Sequence, residues 1–212
     1  RQYARGAVME IDAATRRNLE LTSTLTGDRK GSVLSVIDRT LTGPGARLLM
    51  ARLSAPLTDR AVIDERLDAI QFFMDAERVR GDVRDQLRGL PDMERALSRL
   101  SIGRGGPRDL AAVRHALEHT ATIRTIVSTE RGMPEAVANF LTELDPHVAL
   151  VDALSCALAE DLPVYVRDGG FIKPGYAPGL DELRSLRDES KRLIANLQAD
   201  YQADTGVATL KV

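Results

Sequence analysis

The chain has 212 residues, room for one large domain or two small ones, and it is 43% apolar but only 4% aromatic, without Trp. A core drawn from that set is mostly Leu, Ala, Val and Ile, and with Arg and Glu these residues favour helices. The net charge of −2 and the pI near 6.0 exclude a uniformly basic nucleic-acid binder, because such binders rely on a surplus of cations to neutralise phosphates.

Residues 1–10 read as an irregular lead-in. Asp12 suits an N-cap, and the spacing predicts a helix from there to about Leu25. Thr26 to Ser32 is a loop with two glycines, followed by a short helix in "SVLSVIDRT". Gly43–Pro44–Gly45 punctuates the chain before a helix from about Gly45 to Leu53, which Pro56 ends. Asp59 to Asp75 is the next helix, with Ile63, Leu67, Ile70 and Met74 as its amphipathic stripe. A short helix covers about Val79 to Leu87. Another runs from Pro91 to Leu100 with Met93, Leu97 and Leu100 on one side. Pro107 suits the first position of a helix reaching about Val127, and further helices start at Pro134 and Pro146, the last ending near Ala159.

The pattern then changes. "LPVYVRDGGFIKPGY" (Leu162 to Tyr176) reads as a loop or short hairpin. One long helix follows from about Gly179 to Ala203, roughly 37 Å at ~1.5 Å per residue. Leu183, Leu186, Ser190, Leu193, Leu197 and Tyr201 recur on it at steps of three and four, a narrow seam rather than a broad core face. The helix is expected to lean on a neighbour along one edge and otherwise to project. "TGVATLKV" alternates like a strand. A lone strand is unstable, so the polypeptide is expected to continue beyond Val212. The expected fold class is all-α: a multi-helix core bundle, a long projecting helix and minor β structure at the C-terminal end.

Cys156 is the single cysteine, which rules out an intramolecular disulfide; in "ALSCALA" it reads as a small buried core residue. No apolar run is long enough to span a bilayer and no signal peptide is evident, so the expected setting is cytoplasmic.

Catalytic chemistry finds little support. His115 and His119 are four apart, as metal ligands on one helix face are, but neither they nor His147 have further ligands evident nearby. Asp168 before Gly169–Gly170 offers a carboxylate, yet the pair of glycines fits a tight turn better. "GRGGPRDL" (Gly103 to Leu110) is glycine-rich before a helix, but without a following Lys-Ser or Lys-Thr it is a helix–helix turn and not a P-loop. Arg16 and Arg17 suit a partner contact or a solvated face equally. Asp92, Glu94, Arg95, Arg99, Arg104, Arg108 and Asp109 read as a charge-laced surface of weak pairs. No catalytic, cofactor-binding or metal-binding residue is assigned.

Five stretches occur together in order: "DAATRRNLEL" from Asp12, "SVLSVIDRTLTGPGARLLMARLSAPLTDRAVIDERLDAI" from Ser32, "DMERALSRLSIGRGGPRDL" from Asp92, "VRDGGFIKPGYAPGLDELR" from Val166 and "TGVATLKV" from Thr205. Together they resemble the helical core, or lever, region of the MutS family of bacterial DNA mismatch-recognition proteins, over nearly the whole chain. Gly43–Pro44–Gly45–Ala46 departs from the Met-Gly-Ser usual in that family.

The resemblance implies a division of the chain. Residues 1–10 would end a connector, 11–178 form the helical core, 179–205 the lever helix, and 206–212 the first strand of a truncated clamp. It also implies a parent that is a dimeric, ATP- and Mg-dependent clamp on mismatched double-stranded DNA, working with downstream mismatch-repair factors. The family's Phe-x-Glu mismatch reader and Walker P-loop do not occur in these residues, so the role expected here is mechanical: a relay between ATPase and clamp. The competing expectations are a self-contained helical adaptor, docking partners through the seam of its long helix, and, more remotely, an enzyme built on Asp168 and the histidines.

Overall fold

In the computed structural model, residues 8–207 and 209 are described, and the architecture is all-α as expected. The helices are α1 (Ala13–Asn18), α2 (Val33–Ile37), α3 (Gly43–Ser54), α4 (Arg60–Asp75), α5 (Glu77–Arg88), α6 (Met93–Ser101), α7 (Pro107–Ser128), α8 (Glu135–Glu143), α9 (Val148–Ala157) and α10 (Pro178–Thr205). Strand-like pairing among the described residues is confined to two isolated antiparallel bridges, Val8 with Leu57 and Leu158 with Ile172. The chain forms two compact units, one up to Ser155 and one from Cys156.

Local chemistry sets most helix starts. Asp12, Ser32, Thr42, Asp59 and Asp92 each accept a backbone N–H of the first turn, satisfying a donor the helix leaves free. Pro107 fills the first turn of α7, where a missing N–H costs nothing. Between α4 and α5, Arg80 closes the break by donating Nη1 to the carbonyls of Phe73 and Met74 at 2.8 and 2.9 Å.

The core of the first unit is organised on α7. Its C-terminal half brings Ile123 and Val127 against Phe72 of α4, Val79 of α5, and Val137 and Leu141 of α8. Its N-terminal half packs Val113 and Leu117 on Ala96 of α6, with Val151 and Leu154 of α9 alongside. Seven α7 residues are buried, spread around the helix, as expected of an element surrounded by others.

Four expectations are corrected. The first helix ends at Asn18, not near Leu25: Glu20 turns into the left-handed region (φ 48°), and the carbonyls of Glu20 and Leu21 accept the N–H groups of Val33 and Leu34. Gly43–Pro44 does not precede α3 but forms its first turn, capped by Thr42. On α4, the stripe Leu67, Ile70 and Met74 is more than half exposed; Phe72 is the buried residue, and Ala69, Phe73 and Ala76 pack beside it. The stripe instead borders an open apolar groove of about 900 Å³ that Leu49, Pro56, Leu57 and Ile63 also line. Cys156 is exposed. The buried edge of α9 runs through Val151, Leu154 and Ala157, and a residue two positions after Leu154 points roughly away from it at ~100° per residue.

The lead-in expected at residues 1–10 is described only from Val8, where the bridge to Leu57 and a bond from the Met9 N–H to the Pro56 carbonyl (2.7 Å) hold it. Most of the strand expected over 206–212 lies outside the described residues.

Candidate functional site

The second unit begins where α9 ends. Ala159 N–H donates to the Phe171 carbonyl at 2.9 Å and Lys173 N–H to the Ala157 carbonyl at 2.8 Å, framing the Leu158–Ile172 bridge. This pairing ends α9 earlier than the Ala159 expected. At the far end of the hairpin a single 3-10 turn, Val166–Asp168, leads into Gly169 and Gly170, both at positive φ (67° and 77°). A side chain at either position would be strained, which is why the turn is written with two glycines. Asp168 accepts the Tyr165 N–H at 3.4 Å, and the Arg167 guanidinium lies 4.6 Å from the Tyr165 ring centre. Asp168 is thus a turn residue.

The chain then reverses through Pro174 and Gly175 into α10. Gly175 has φ 84°, and its N–H donates to Asp181 Oδ2 at 2.7 Å. Arg184, one turn further along the helix, donates Nη1 to Asp181 Oδ1 at 2.9 Å and Nη2 to the Ile172 carbonyl at 2.8 Å. One guanidinium fork therefore ties the first two turns of α10 to the bridge strand. Beyond Arg184 the helix is uniformly polar or exposed: it has no buried residue over its 28 positions. Its seam faces outward, with Leu183 64%, Leu193 69% and Leu197 44% exposed. Gly206 in the left-handed region (φ 69°) caps its end.

The other candidates have neighbours within the chain. His115 contacts Arg114 Nη2 at 2.9 Å and His119 contacts Gln86 Oε1 of α5 at 2.9 Å. His147 takes the uncommon φ of 46°, its N–H held by Asp145 Oδ1 at 2.9 Å. Among the described residues no three His, Cys, Asp or Glu side chains gather as a metal-binding group. Gly103 to Leu110 is the α6–α7 turn. Asp109 accepts the Gly106 N–H at 3.0 Å, and a Cβ at Gly105 would stand 2.8 Å from the Leu100 Cα, so only glycine fits there. Arg16 reaches from α1 to the Ser54 carbonyl at the end of α3 (3.2 Å), a tie within the chain.

The supposed charge-laced surface contains a built cluster. Arg47 of α3 forks onto Asp92 at 2.8 and 3.0 Å and also reaches Glu94. Arg99 of α6 donates Nε to Asp109 at 3.0 Å. The hydrogen bonds from Arg47 hold the Asp92 carboxyl below the ordinary carboxylate range, and those from Arg99 do the same for Asp109. Arg47 itself was not singled out from sequence, since its partners lie 45 and more positions away.

Comparison of the sequence with known proteins shows the family. The family model described as MutS domain III matches residues 14–209. The chain is 49% identical over 98% of its length to the DNA mismatch repair protein MutS of Cereibacter sphaeroides and 50% identical over 99% to that of Rhodopseudomonas palustris. It is 49% identical over 96% of its length to that of Roseobacter denitrificans. In each case it spans 23% of the relative, so it corresponds to about a quarter of those proteins. With the match covering nearly every residue from α1 to the end of α10, the chain belongs to the MutS domain III family.

Proposed function

We propose that this chain is the helical core and lever of a DNA mismatch-repair protein, with α10 passing a rotation between a nucleotide site and a DNA clamp that both lie outside these residues. Residues 11–178 act as the core and 179–205 as the lever, flanked by the end of a connector (1–10) and the first strand of a clamp (206–212). The parent works as a homodimer in the cytoplasm, binds mismatched double-stranded DNA, uses ATP and Mg in another domain, and hands on to downstream repair factors. The chain itself carries out no catalysis in this reading.

The observation that carries the reading is the contrast within α10. A 28-residue helix without a buried residue contributes little to a core, yet its base is held to the preceding chain by two polar contacts, to Gly175 and Ile172, joined by the Asp181–Arg184 pair. A stiff element fixed at one end suits transmission, since coupling between remote sites needs a body with discrete arrangements. The seam Leu183, Leu186, Leu193 and Leu197 fits a second element lying along the lever.

Leu193→Pro removes one backbone donor and clashes with the preceding turn, breaking the helix at its middle at a cost of about 3 kcal/mol or more. In the full-length parent this variant is expected to keep its fold and lose nucleotide-dependent release from mismatched DNA, read by fluorescence anisotropy. Normal release would refute the relay.

A further inference from the structure

The base of α10 raises a mechanical question. Covalently, the helix is joined to the bridge strand only through Pro174–Ala177, and that link contains Gly175 at φ 84°. A glycine link between a bridge strand and a helix is a natural swivel, because glycine moves among backbone conformations at little steric cost. Across Gly175 the Tyr176 N–H closes a turn on the Lys173 carbonyl at a long 3.3 Å, and packing restrains the link little, since no residue of α10 is fully buried. In the first two turns only Leu180, Asp181 and Arg184 are even half-buried.

We propose that Asp181 and Arg184 are the coupling joint of the lever: by bridging the Gly175 N–H and the Ile172 carbonyl to the first two turns of α10, they bypass the glycine swivel and make strand and helix turn as one body. The joint rests on the relay reading for its purpose but not for its existence. Its geometry explains the residue types. Asp181 uses both oxygens, one for Gly175 N–H and one for Arg184. Arg184 uses two nitrogens of one rigid fork, one on the helix and one on the strand. Lysine has no such fork, and a single point charge cannot hold two acceptors in a fixed plane. Arg184 is a positioning residue; it acts through the orientation of the helix.

The test measures orientation directly. In the 212-residue chain with Cys156→Ser, spin labels at Asp161→Cys on the hairpin and Glu189→Cys on the helix report their separation by pulsed electron spin resonance. The unaltered joint is expected to give one narrow distance. Arg184→Met, which keeps the apolar stem and loses the fork, is expected to lose that single narrow distance while helicity and melting temperature stay unchanged. Arg184→Gln is expected to do the same and decides the matter should the Met variant fail to fold. Arg187→Met removes a neighbouring arginine that pairs with Asp188 of the same helix and is expected to leave the distance narrow. A narrow distance in a folded Arg184 variant overturns the joint, as does equal broadening in Arg187→Met. Broadened Arg184 variants with normal nucleotide-dependent release in the full-length parent leave the joint standing and count against the relay alone.

Discussion

Helices α7 and α10 are the two longest in the chain and have opposite means of support. The 22-residue α7 buries seven residues and is held by its neighbours along its whole length. The 28-residue α10 buries none and is held at one end by a carboxylate on the Gly175 N–H and a guanidinium on the Ile172 carbonyl. Intrinsic propensity does not explain the support, since α7 carries seven β-branched residues, weaker helix formers, against two in α10. The difference is the breadth of the apolar face: α7 presents Ala111, Val113, Ala116, Leu117, Ile123 and Val127 around its circumference, α10 a single seam. Position is specified by packing in the first case and by a polar tie in the second.

That contrast is most easily broken at the centre of α7. Leu117→Ala removes a buried side chain between α6 and α9 and is expected to cost about 2–5 kcal/mol in urea denaturation. A loss well below that range would mean the core collapses around the gap. Next in size, Gly105→Ala drives a methyl group against Leu100 and is expected to cost about 1–3 kcal/mol by shifting the start of α7. Wild-type stability there would show that the turn relaxes freely.

The pH response follows from the cluster that braces α6 to α3 and α7. Asp92 and Asp109 have folded values below the ordinary carboxylate value near ~3.9. Their contribution is therefore fully present above about pH 4 and is lost as pH falls through the depressed folded values. Asp92→Asn with Asp109→Asn is expected to lower stability at pH 7 and to flatten the acid-side decline. Denaturation midpoints across that window check it, and an unaltered acid slope would contradict it. The smallest effect belongs to α10: Leu193→Ala, at a side chain 69% exposed, is expected to change the stability of the isolated chain by less than about 0.5 kcal/mol. A loss as large as that at Leu117 would reveal packing on the seam.

What was legible in the sequence was local. Asp12 as a cap, Pro107 at a helix start, the Gly169–Gly170 turn and the length of α10 all depend on residues a few positions apart, and all stand in the structure. What was missed depends on distant partners. The α4 stripe had the right period but the wrong face, because Phe72 is chosen by α7 and α8. The first helix stops short because carbonyls at Glu20 and Leu21 are taken by α2. At the base of α10, Asp181 and Arg184 stood inside a recognised stretch. Only the fold brings the Ile172 carbonyl within reach, so their task was invisible until the bridge strand was in place.

The absence of buried residues on α10 also has a kinetic side. A backbone amide in α7 becomes accessible to solvent deuterium only when the packed core around it opens, so its exchange reports the cooperative unfolding of that unit. An amide beyond Arg184 needs only the local rupture of one or two helical hydrogen bonds, with no side chain to extract from a core. Isotope exchange should accordingly run down the lever as a gradient, slowest beside the guanidinium tie and fastest toward Gly206.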